Sequence, residues 1–274
     1  MDSLLSCASL AGLAFACEYV DSTLGMGYGT ALTPLLLLMG WSPLAVVPAI
    51  LLSELFTGTF AAVMHHRAGN VFFDFSHDSE HWIAKKMGRL GYVPKSRDSR
   101  IAMVLGACSL VGAVGAVLLA INISGLALRL FIGGVVLSMG VLILLRHRKG
   151  LRFSWGRIVG LGVLAAFNKG LSGGGYGPLV TSGQILSGVE SRSSVAITSL
   201  AEGFTCLVGV LTYLALRTQA DWSLAPCLVV GAMLSVPFSA WTVKRISLGR
   251  LTLFVGIATT LLGILTLLKA LKAI

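Results

Sequence analysis

The sequence predicts an all-α polytopic membrane protein with about eight to ten transmembrane segments, arranged as two homologous repeats that each contain a broken helix. Three observations support this fold class: the composition, a series of long apolar segments, and a glycine-rich motif that occurs twice. Of the 274 residues, 55% are hydrophobic and only 12% are charged, and the mean hydropathy is +0.88. A soluble domain carries about twice that share of charged residues, so we expect an integral membrane protein.

Eight apolar segments are long enough, or nearly so, to cross a bilayer, since a spanning helix needs about 20 mostly apolar residues. They lie at 4–20, 44–64, 101–121, 126–145, 156–172, 195–216, 222–243 and 250–268. The first segment has no preceding Lys or Arg and carries Glu18 and Asp21, so we expect a retained helix and not a signal peptide. Together these segments leave little chain for a separate soluble domain.

An internal duplication becomes visible when the sequence is shifted by 148 positions. Without any gap, Tyr28 falls on Tyr176 and Glu54 falls on Glu202, and three glycines of GMGYG fall on three of GGGYG. Chance matches among common apolar residues are easy, but a Tyr and a Glu in the same register within one window are not. The register therefore predicts that the chain consists of two copies of one unit.

We expect one membrane domain made of a first repeat at 1–148, which includes a charged loop at 66–100, and a second repeat at 149–274. The net charge is +10, but the basic residues cluster at segment ends, which is typical of membrane orientation and not of nucleic-acid binding. If the loop 66–100 and the basic stretch 146–157 are both cytoplasmic, the number of crossings favours inverted repeats. Parallel repeats are the alternative, and they would place three basic residues outside. The expected location is the plasma membrane, which is the inner membrane if the source is a bacterium.

The duplicated motif interrupts what would otherwise be continuous membrane helix, as GMGYGTALTP at 25–34 and as GGGYGPLVTS at 173–182. Glycine permits the backbone to leave helical geometry, and Pro178 suits the first turn of a new helix. Backbone N–H groups freed at membrane depth must line a cavity or meet a ligand, and at the positive end of a half-helix they favour an anion. Close packing of small residues between helices is the alternative explanation for the glycines.

The two motifs predict a substrate site in which N–H groups of both breaks are joined by two tyrosines, several hydroxyl groups and one lysine. The predicted substrate-binding residues are Gly25, Gly27, Tyr28, Gly29, Thr30, Thr33, Lys169, Gly173, Gly175, Tyr176, Gly177 and Thr181. Lys169 aligns with Asp21 of the first half, so it either attracts the anion or forms an ion pair with Asp21.

Glu54 and Glu202 are the clearest ionisable residues inside spanning segments, where such residues are costly and mark functional sites by default. A carboxylate in a low-dielectric cavity retains a proton more readily than one in water. We therefore predict that both residues carry a coupled proton, with a hydrogen bond between helices as the alternative role.

Other chemistry is not expected. Five cysteines are scattered without a CxxC motif, which predicts neither a disulfide framework nor a metal site. His77 and His81 stand four residues apart beside acidic residues, but without a third fixed ligand a solvated face is expected in place of a metal site. The sequence contains no P-loop and no hydrolase motif, so we expect a transporter that uses no ATP and no cofactor, and not an enzyme.

The two glycine-rich motifs, with SE after the first and SLAEG after the second, resemble the TauE/SafE sulfite exporter family, also called the TSUP family, over most of the chain. The resemblance implies secondary transport of small sulfur-containing anions such as sulfite, thiosulfate or an organosulfonate, often outward. A passive anion channel, or a membrane sensor that signals through the loop 66–100, is the alternative. The expected partners are the anionic substrate and the lipid bilayer, with no nucleic acid, and a homo-oligomer is compatible with the sequence.

Overall fold

The structure is a computed structural model that describes residues 2–77, 85–86, 92–120, 122–145, 154–187, 189–216, 221–243, 245 and 248–272. Its elements in chain order are α1 (Asp2–Leu24), α2 (Tyr28–Leu38), α3 (Pro43–Arg67), β1 (Phe75–His77), β2 (Tyr92–Pro94), α4 (Arg97–Ala120), α5 (Gly125–Leu145), α6 (Trp155–Ser172), α7 (Tyr176–Leu186), α8 (Ser191–Ala215), α9 (Ala225–Thr242) and α10 (Leu248–Leu271). The chain is therefore built almost entirely from helices.

Each of the eight predicted apolar segments lies along one long helix, and α2 and α7 are short. Among the described residues, α3, α4, α8 and α9 meet the length and hydropathy expected of a membrane-spanning helix. Many large apolar side chains of the long helices are exposed, for example Val111 on α4 and Phe238 on α9, and such a surface suits lipid. The chain is an all-α multi-pass membrane protein.

The two predicted helix breaks are present, between α1 and α2 and between α6 and α7. Helix α1 ends at Gly25 and α6 ends at Gly173, and both glycines have positive φ, of 68° and 71°. Their N–H groups donate to the carbonyl groups of Asp21 and Lys169, at 2.6 Å and 2.8 Å. This left-handed conformation is the usual end of a helix, and glycine adopts it without a steric penalty.

The two breaks pack directly against each other. A Cβ atom added at Gly29 would overlap the carbonyl oxygen of Gly173, and one added at Gly177 would overlap the carbonyl oxygen of Gly25. The backbones therefore touch where α2 and α7 begin, and only glycine leaves enough space there. The glycines therefore both interrupt the helices and allow the two breaks to pack closely, so both interpretations of these glycines apply.

Helix contacts link the part of the chain before residue 149 with the part after it. Extensive pairs are α1 with α9, α4 with α6, α3 with α8 and α5 with α10. Large apolar side chains of α2 and α3, among them Leu32, Val46 and Ile50, form the buried core beside the breaks. The breaks thus lie in the interior of the bundle.

A disulfide joins Cys7 of α1 to Cys227 of α9, with a Cα–Cα distance of 5.5 Å. The prediction that the cysteines form no disulfide is wrong for this pair, because 220 residues separate two positions that neighbouring helices bring together. The far end of α9 contacts the start of the loop 66–100, where the side-chain amide of Asn70 donates to the carbonyl of Ala240 at 3.0 Å. The disulfide therefore lies at the opposite end of the bundle from that loop. Because disulfides persist in oxidising compartments, it favours the expected orientation with the loop in the cytoplasm.

The cross-link gives a direct labelling prediction. Protein that is denatured without reduction should react with an alkylating reagent at Cys17, Cys108 and Cys206 alone, which are the free cysteines of the chain. After reduction, Cys7 and Cys227 should be labelled as well, as counted by mass spectrometry. The Cys7→Ser variant should show Cys227 labelled without reduction. Complete labelling of the unreduced parent protein would contradict the cross-link.

The loop 66–100 contains a short antiparallel hairpin, in which Phe75 of β1 pairs with Pro94 of β2 and His77 pairs with Tyr92. His81, the second residue of the histidine pair considered for metal binding, lies outside the described residues. The His77 and His81 pair is therefore still a sequence-based expectation.

Candidate functional site

A buried ion cluster lies beside the two breaks. The ammonium group of Lys169 forms salt bridges with the carboxylate of Glu54 and with that of Glu202, the latter at 2.8 Å between Nζ and Oε1. The lysine side chain is fully buried, and the two glutamate side chains are 3% and 5% exposed. Such a dry ion pair is stable only when its charges meet partners of opposite sign, so these three residues depend on one another.

The fold explains why these three side chains meet. Lys169 lies in the last turn of α6, where the helix dipole favours a cation, and the break at Gly173 follows directly. Glu54 and Glu202 lie near the middle of α3 and α8, which pack against each other. The two glutamates that were predicted as equivalent proton carriers therefore converge on one lysine.

Asp21 completes the cluster from α1. One carboxylate oxygen from each of Asp21, Glu54 and Glu202 lies within 4.8 Å of the others. Of the two alternatives for Lys169, the direct ion pair with Asp21 is not formed among the described residues, where the salt bridges of Lys169 go to the two glutamates. Asp21 instead accepts the backbone N–H of Tyr28 at 3.1 Å, so its carboxylate caps the start of α2.

The N–H groups at the start of α2 are already bound within the protein. Besides the N–H of Tyr28, the N–H of Gly29 donates to Oε1 of Glu54 at 3.2 Å. In this conformation, carboxylates of the same chain therefore occupy the two donors that the break is predicted to offer to a ligand. Glu54 also forms the salt bridge with Lys169 and accepts from the thiol of Cys206 at 3.7 Å, so this carboxylate occupies a position built for an anion.

The start of α7 is arranged differently. Lys169 stands where the first half has Asp21, and an ammonium group cannot accept a hydrogen bond from the N–H of Tyr176. The N–H of Gly175 donates to the hydroxyl of Thr30 at 3.3 Å, which ties this break to α2. The side chain at this position is thus acidic before the first break and basic before the second, although the backbones of the two breaks match.

The remaining predicted residues also lie around this position. The hydroxyl of Thr181 donates to the carbonyl of Gly25 at 2.7 Å, and that of Tyr28 lies 2.8 Å from the hydroxyl of Ser53. A Cβ atom at Gly173 would lie 3.0 Å from the hydroxyl oxygen of Thr33. All of the predicted substrate-binding residues are buried: Gly25, Gly27, Tyr28, Gly29, Thr30, Thr33, Lys169, Gly173, Gly175, Tyr176, Gly177 and Thr181.

Two ionisable residues beside the cluster were not among the predicted site residues. Glu18 on α1 is 2% exposed and accepts hydrogen bonds from Ser22 at 2.5 Å and from Thr57 at 3.2 Å. His65, near the end of α3, has a fully buried side chain that contacts α1. Glu18 could have been found from its place inside an apolar segment, whereas nothing in the sequence marks His65 as buried.

The charges of the cluster do not balance. One ammonium group faces the carboxyl groups of Asp21, Glu54 and Glu202, all of them buried. Burying an unpaired charge costs several kcal/mol, roughly, so a neutral cluster must hold protons on two of these carboxyl groups. The arrangement can therefore exchange protons, and it can exchange one carboxylate partner of Lys169 for another anion.

Sequence comparison places the chain among known membrane proteins. The profile of the family described as Sulfite exporter TauE/SafE matches residues 87–266. The chain belongs to this family. The matched residues of this TauE/SafE protein include Lys169, the second break and Glu202, while Glu54 and the first break precede the match.

A curated relative of this TauE/SafE protein is described as the probable membrane transporter protein YtnM of Bacillus subtilis (strain 168). The two are 26% identical over 243 residues, which cover 83% of this chain and 71% of the relative. No solved structure matches the chain significantly. The family and this relative, together with the apolar helices, make the protein a multi-pass membrane transporter.

Proposed function

We propose that this TauE/SafE protein is a proton-coupled secondary transporter of small sulfur-containing anions, such as sulfite, thiosulfate or an organosulfonate, and that it exports them across the plasma membrane. The observation that carries the proposal is the fully buried Lys169, held by Glu54 and Glu202 where the two helix breaks meet. The description of the family supports the class of substrate.

The anion takes the place of the Glu54 carboxylate. That carboxylate is bound by the ammonium group of Lys169 and by the backbone N–H of Gly29, which are the two kinds of donor that an oxyanion requires. A sulfite or sulfonate group has three oxygen atoms and accepts from the same donors once Glu54 withdraws. The glycines at the crossing allow backbone and ligand to approach closely.

Proton coupling follows from the displacement of Glu54. A carboxylate released from Lys169 inside the bundle would be a buried charge without a partner, which costs several kcal/mol, roughly. Glu54 therefore binds a proton when the anion binds, and it loses that proton when it returns to Lys169. Glu202 serves as the second proton site on the same ammonium group. Anion and proton then cross the membrane together.

Two inverted repeats, 1–148 and 149–274, supply the movement that exposes the site to either side in turn. This part of the proposal is supported by the bounds of the helices, because α2 and α7, and likewise α3 and α8, begin and end 148 residues apart. The contacts between helices support it as well. If α1–α5 correspond in order to α6–α10, then α1 is equivalent to α6 and α9 is equivalent to α4. The contact of α1 with α9 is then repeated by the contact of α6 with α4, and both are extensive. The repeats rock against each other around the buried cluster.

Counterflow in proteoliposomes tests the proposal. Vesicles loaded with unlabelled sulfite should accumulate external labelled sulfite transiently, since a carrier exchanges one substrate for another. External thiosulfate and sulfoacetate should compete, and acetate should not. A passive channel does not drive such accumulation, so its absence with folded protein, for every sulfur anion, would reject the transporter mechanism proposed here.

A further inference from the structure

Two basic side chains lie together at one end of the helix bundle. Arg129 is in the second turn of α5, and Lys269 is in the last turn of α10. Both line a small cavity at the surface, which also includes the end of α2. The residues that line this cavity are Leu37, Leu38, Arg129, Thr266, Lys269 and Ala270. Three helices thus bring two cations to one site.

The position of this cavity follows from the course of the helices. Helix α3 begins at Pro43, just after the end of α2, and reaches the loop 66–100 at Arg67. Its 25 residues cover about 37 Å, so α2 ends at the end of the bundle that is far from that loop. Arg129 lies about 6 Å along α5 from the start of this helix. The cavity is therefore close to the membrane surface, at the depth of lipid headgroups.

The cavity carries positive charge without an acidic partner. Helices α2, α5 and α10 contain no Asp or Glu. The ammonium group of Lys269 donates to the carbonyl of Leu38, at the end of α2. Arg129 is half-buried, and its side chain makes no hydrogen bond or ion pair among the described residues. The exposed Lys272 adds a third positive charge three residues after Lys269. A guanidinium group has five N–H donors in a planar fork, which an oxyanion from outside the protein matches.

An exposed apolar stripe leads from Lys269 towards the middle of the membrane. Leu265 and Leu261 lie four and eight residues before Lys269 on α10, so the three side chains share one broad face of the helix. The two leucines are 50% and 55% exposed. A phospholipid has the same order of groups, with a phosphate at the membrane surface and acyl chains below it. A free anion would use only the basic end of this surface.

We propose that Arg129 and Lys269 bind the phosphate group of an anionic phospholipid, whose acyl chains lie along Leu261 and Leu265. The guanidinium group binds two phosphate oxygens. The ammonium group has three N–H donors, so it binds a further oxygen while it keeps the carbonyl of Leu38. A lipid with a net negative charge is preferred to a zwitterionic one, because no acidic side chain of α2, α5 or α10 balances the cations. The site does not depend on which anion the protein transports.

Native mass spectrometry measures this binding on the intact protein in detergent. In a titration with phosphatidylglycerol, one lipid should bind at least about tenfold more tightly than phosphatidylcholine does, because each of the two cations contributes roughly a factor of five. The double variant Arg129→Gln with Lys269→Gln should lose at least about tenfold of the phosphatidylglycerol affinity. Lys85→Gln with Lys86→Gln is the matched control, since it removes the same charge from exposed lysines of the loop 66–100. This control should keep the parental affinity.

A charge-swapped variant separates lipid recognition from folding. Arg129→Lys with Lys269→Arg keeps both cations, so its phosphatidylglycerol affinity should stay within about threefold of that of the parent protein.

Thermal unfolding of the parent protein in detergent distinguishes a lipid from a free anion. Phosphatidylglycerol should raise the thermal midpoint, because it binds the folded protein. Glycerol 3-phosphate at the same concentration should not, since it has the phosphate group but no acyl chains.

Several results would overturn the lipid site. Equal affinities of the parent protein for phosphatidylglycerol and phosphatidylcholine would exclude recognition of charge. Parental affinity in the Arg129→Gln and Lys269→Gln double variant would place the lipid elsewhere on the protein. A tenfold loss in the charge-swapped variant as well would show that the two charges do not determine binding. An equal rise of the thermal midpoint with glycerol 3-phosphate would mean that the cavity binds a free anion.

Discussion

Replacing Lys169 with Met should abolish anion exchange, with a loss of at least about 100-fold in the counterflow rate. Removing one partner of a buried ion pair costs about 3–5 kcal/mol, because the other charge is left without compensation. Here the carboxyl groups of Glu54 and Glu202 lose their shared cation, which leaves a buried carboxylate without a partner, and the substrate loses its charged ligand. Loss of the charged partner of a bound, buried anion costs about 2–5 kcal/mol of binding, and since every 1.4 kcal/mol corresponds to about a factor of ten in affinity, the middle of that range exceeds two orders of magnitude.

The double variant Lys169→Met with Glu202→Gln distinguishes binding from folding. It removes the charge of one of the two acidic groups that have lost their cation, so thermal stability in detergent should recover towards that of the parent protein. Counterflow should not recover, because the ammonium group that receives the anion is still missing. Parental counterflow in the single variant would show that the anion does not use Lys169.

Replacing Gly29 with Ala should separate the two breaks and lower the free energy of unfolding by about 1–3 kcal/mol or more. The added methyl group would overlap the carbonyl of Gly173, which belongs to the backbone of the opposite break and cannot move alone. The methyl group also lies beside the N–H that binds Glu54, so transport should be lost in any protein that still folds.

Gly115→Ala is the matched control, because a Cβ atom at Gly115 on α4 would meet no atom within 4 Å. In a helix this change should be neutral or stabilise by up to about 1 kcal/mol. Both variants can be compared by their thermal midpoints in the same detergent. Equal midpoints would mean that the breaks do not touch as described.

The sequence was sufficient for the helices and breaks because their signals are local. Apolar length indicates each long helix, and glycine next to a helix end indicates each break. The equivalence of Glu54 and Glu202 also followed from the 148-residue register, but their convergence on one lysine did not. What the sequence did not reveal was the choice of partner for Lys169.

That choice depends on three-dimensional geometry. Asp21 and Lys169 occupy the same position in the alignment of the halves. The carboxylate of Asp21 accepts a hydrogen bond from the N–H of Tyr28, whereas Lys169 forms its salt bridges with the glutamates. The disulfide and the burial of His65 are similar cases. Each depends on which helices become neighbours, and periodicity within one segment carries no such information.

The claim that each anion crosses together with a proton can be tested most directly by recording pH inside proteoliposomes while an organosulfonate enters. Sulfoacetate is suitable because its acid groups stay ionised near neutral pH, and the membrane potential is held at zero with potassium and valinomycin. Proton coupling predicts that an inward sulfoacetate gradient acidifies the vesicle interior, and that vesicles without protein, or with Glu54→Gln, show no such change. Entry of sulfoacetate through the parent protein at constant internal pH would contradict it.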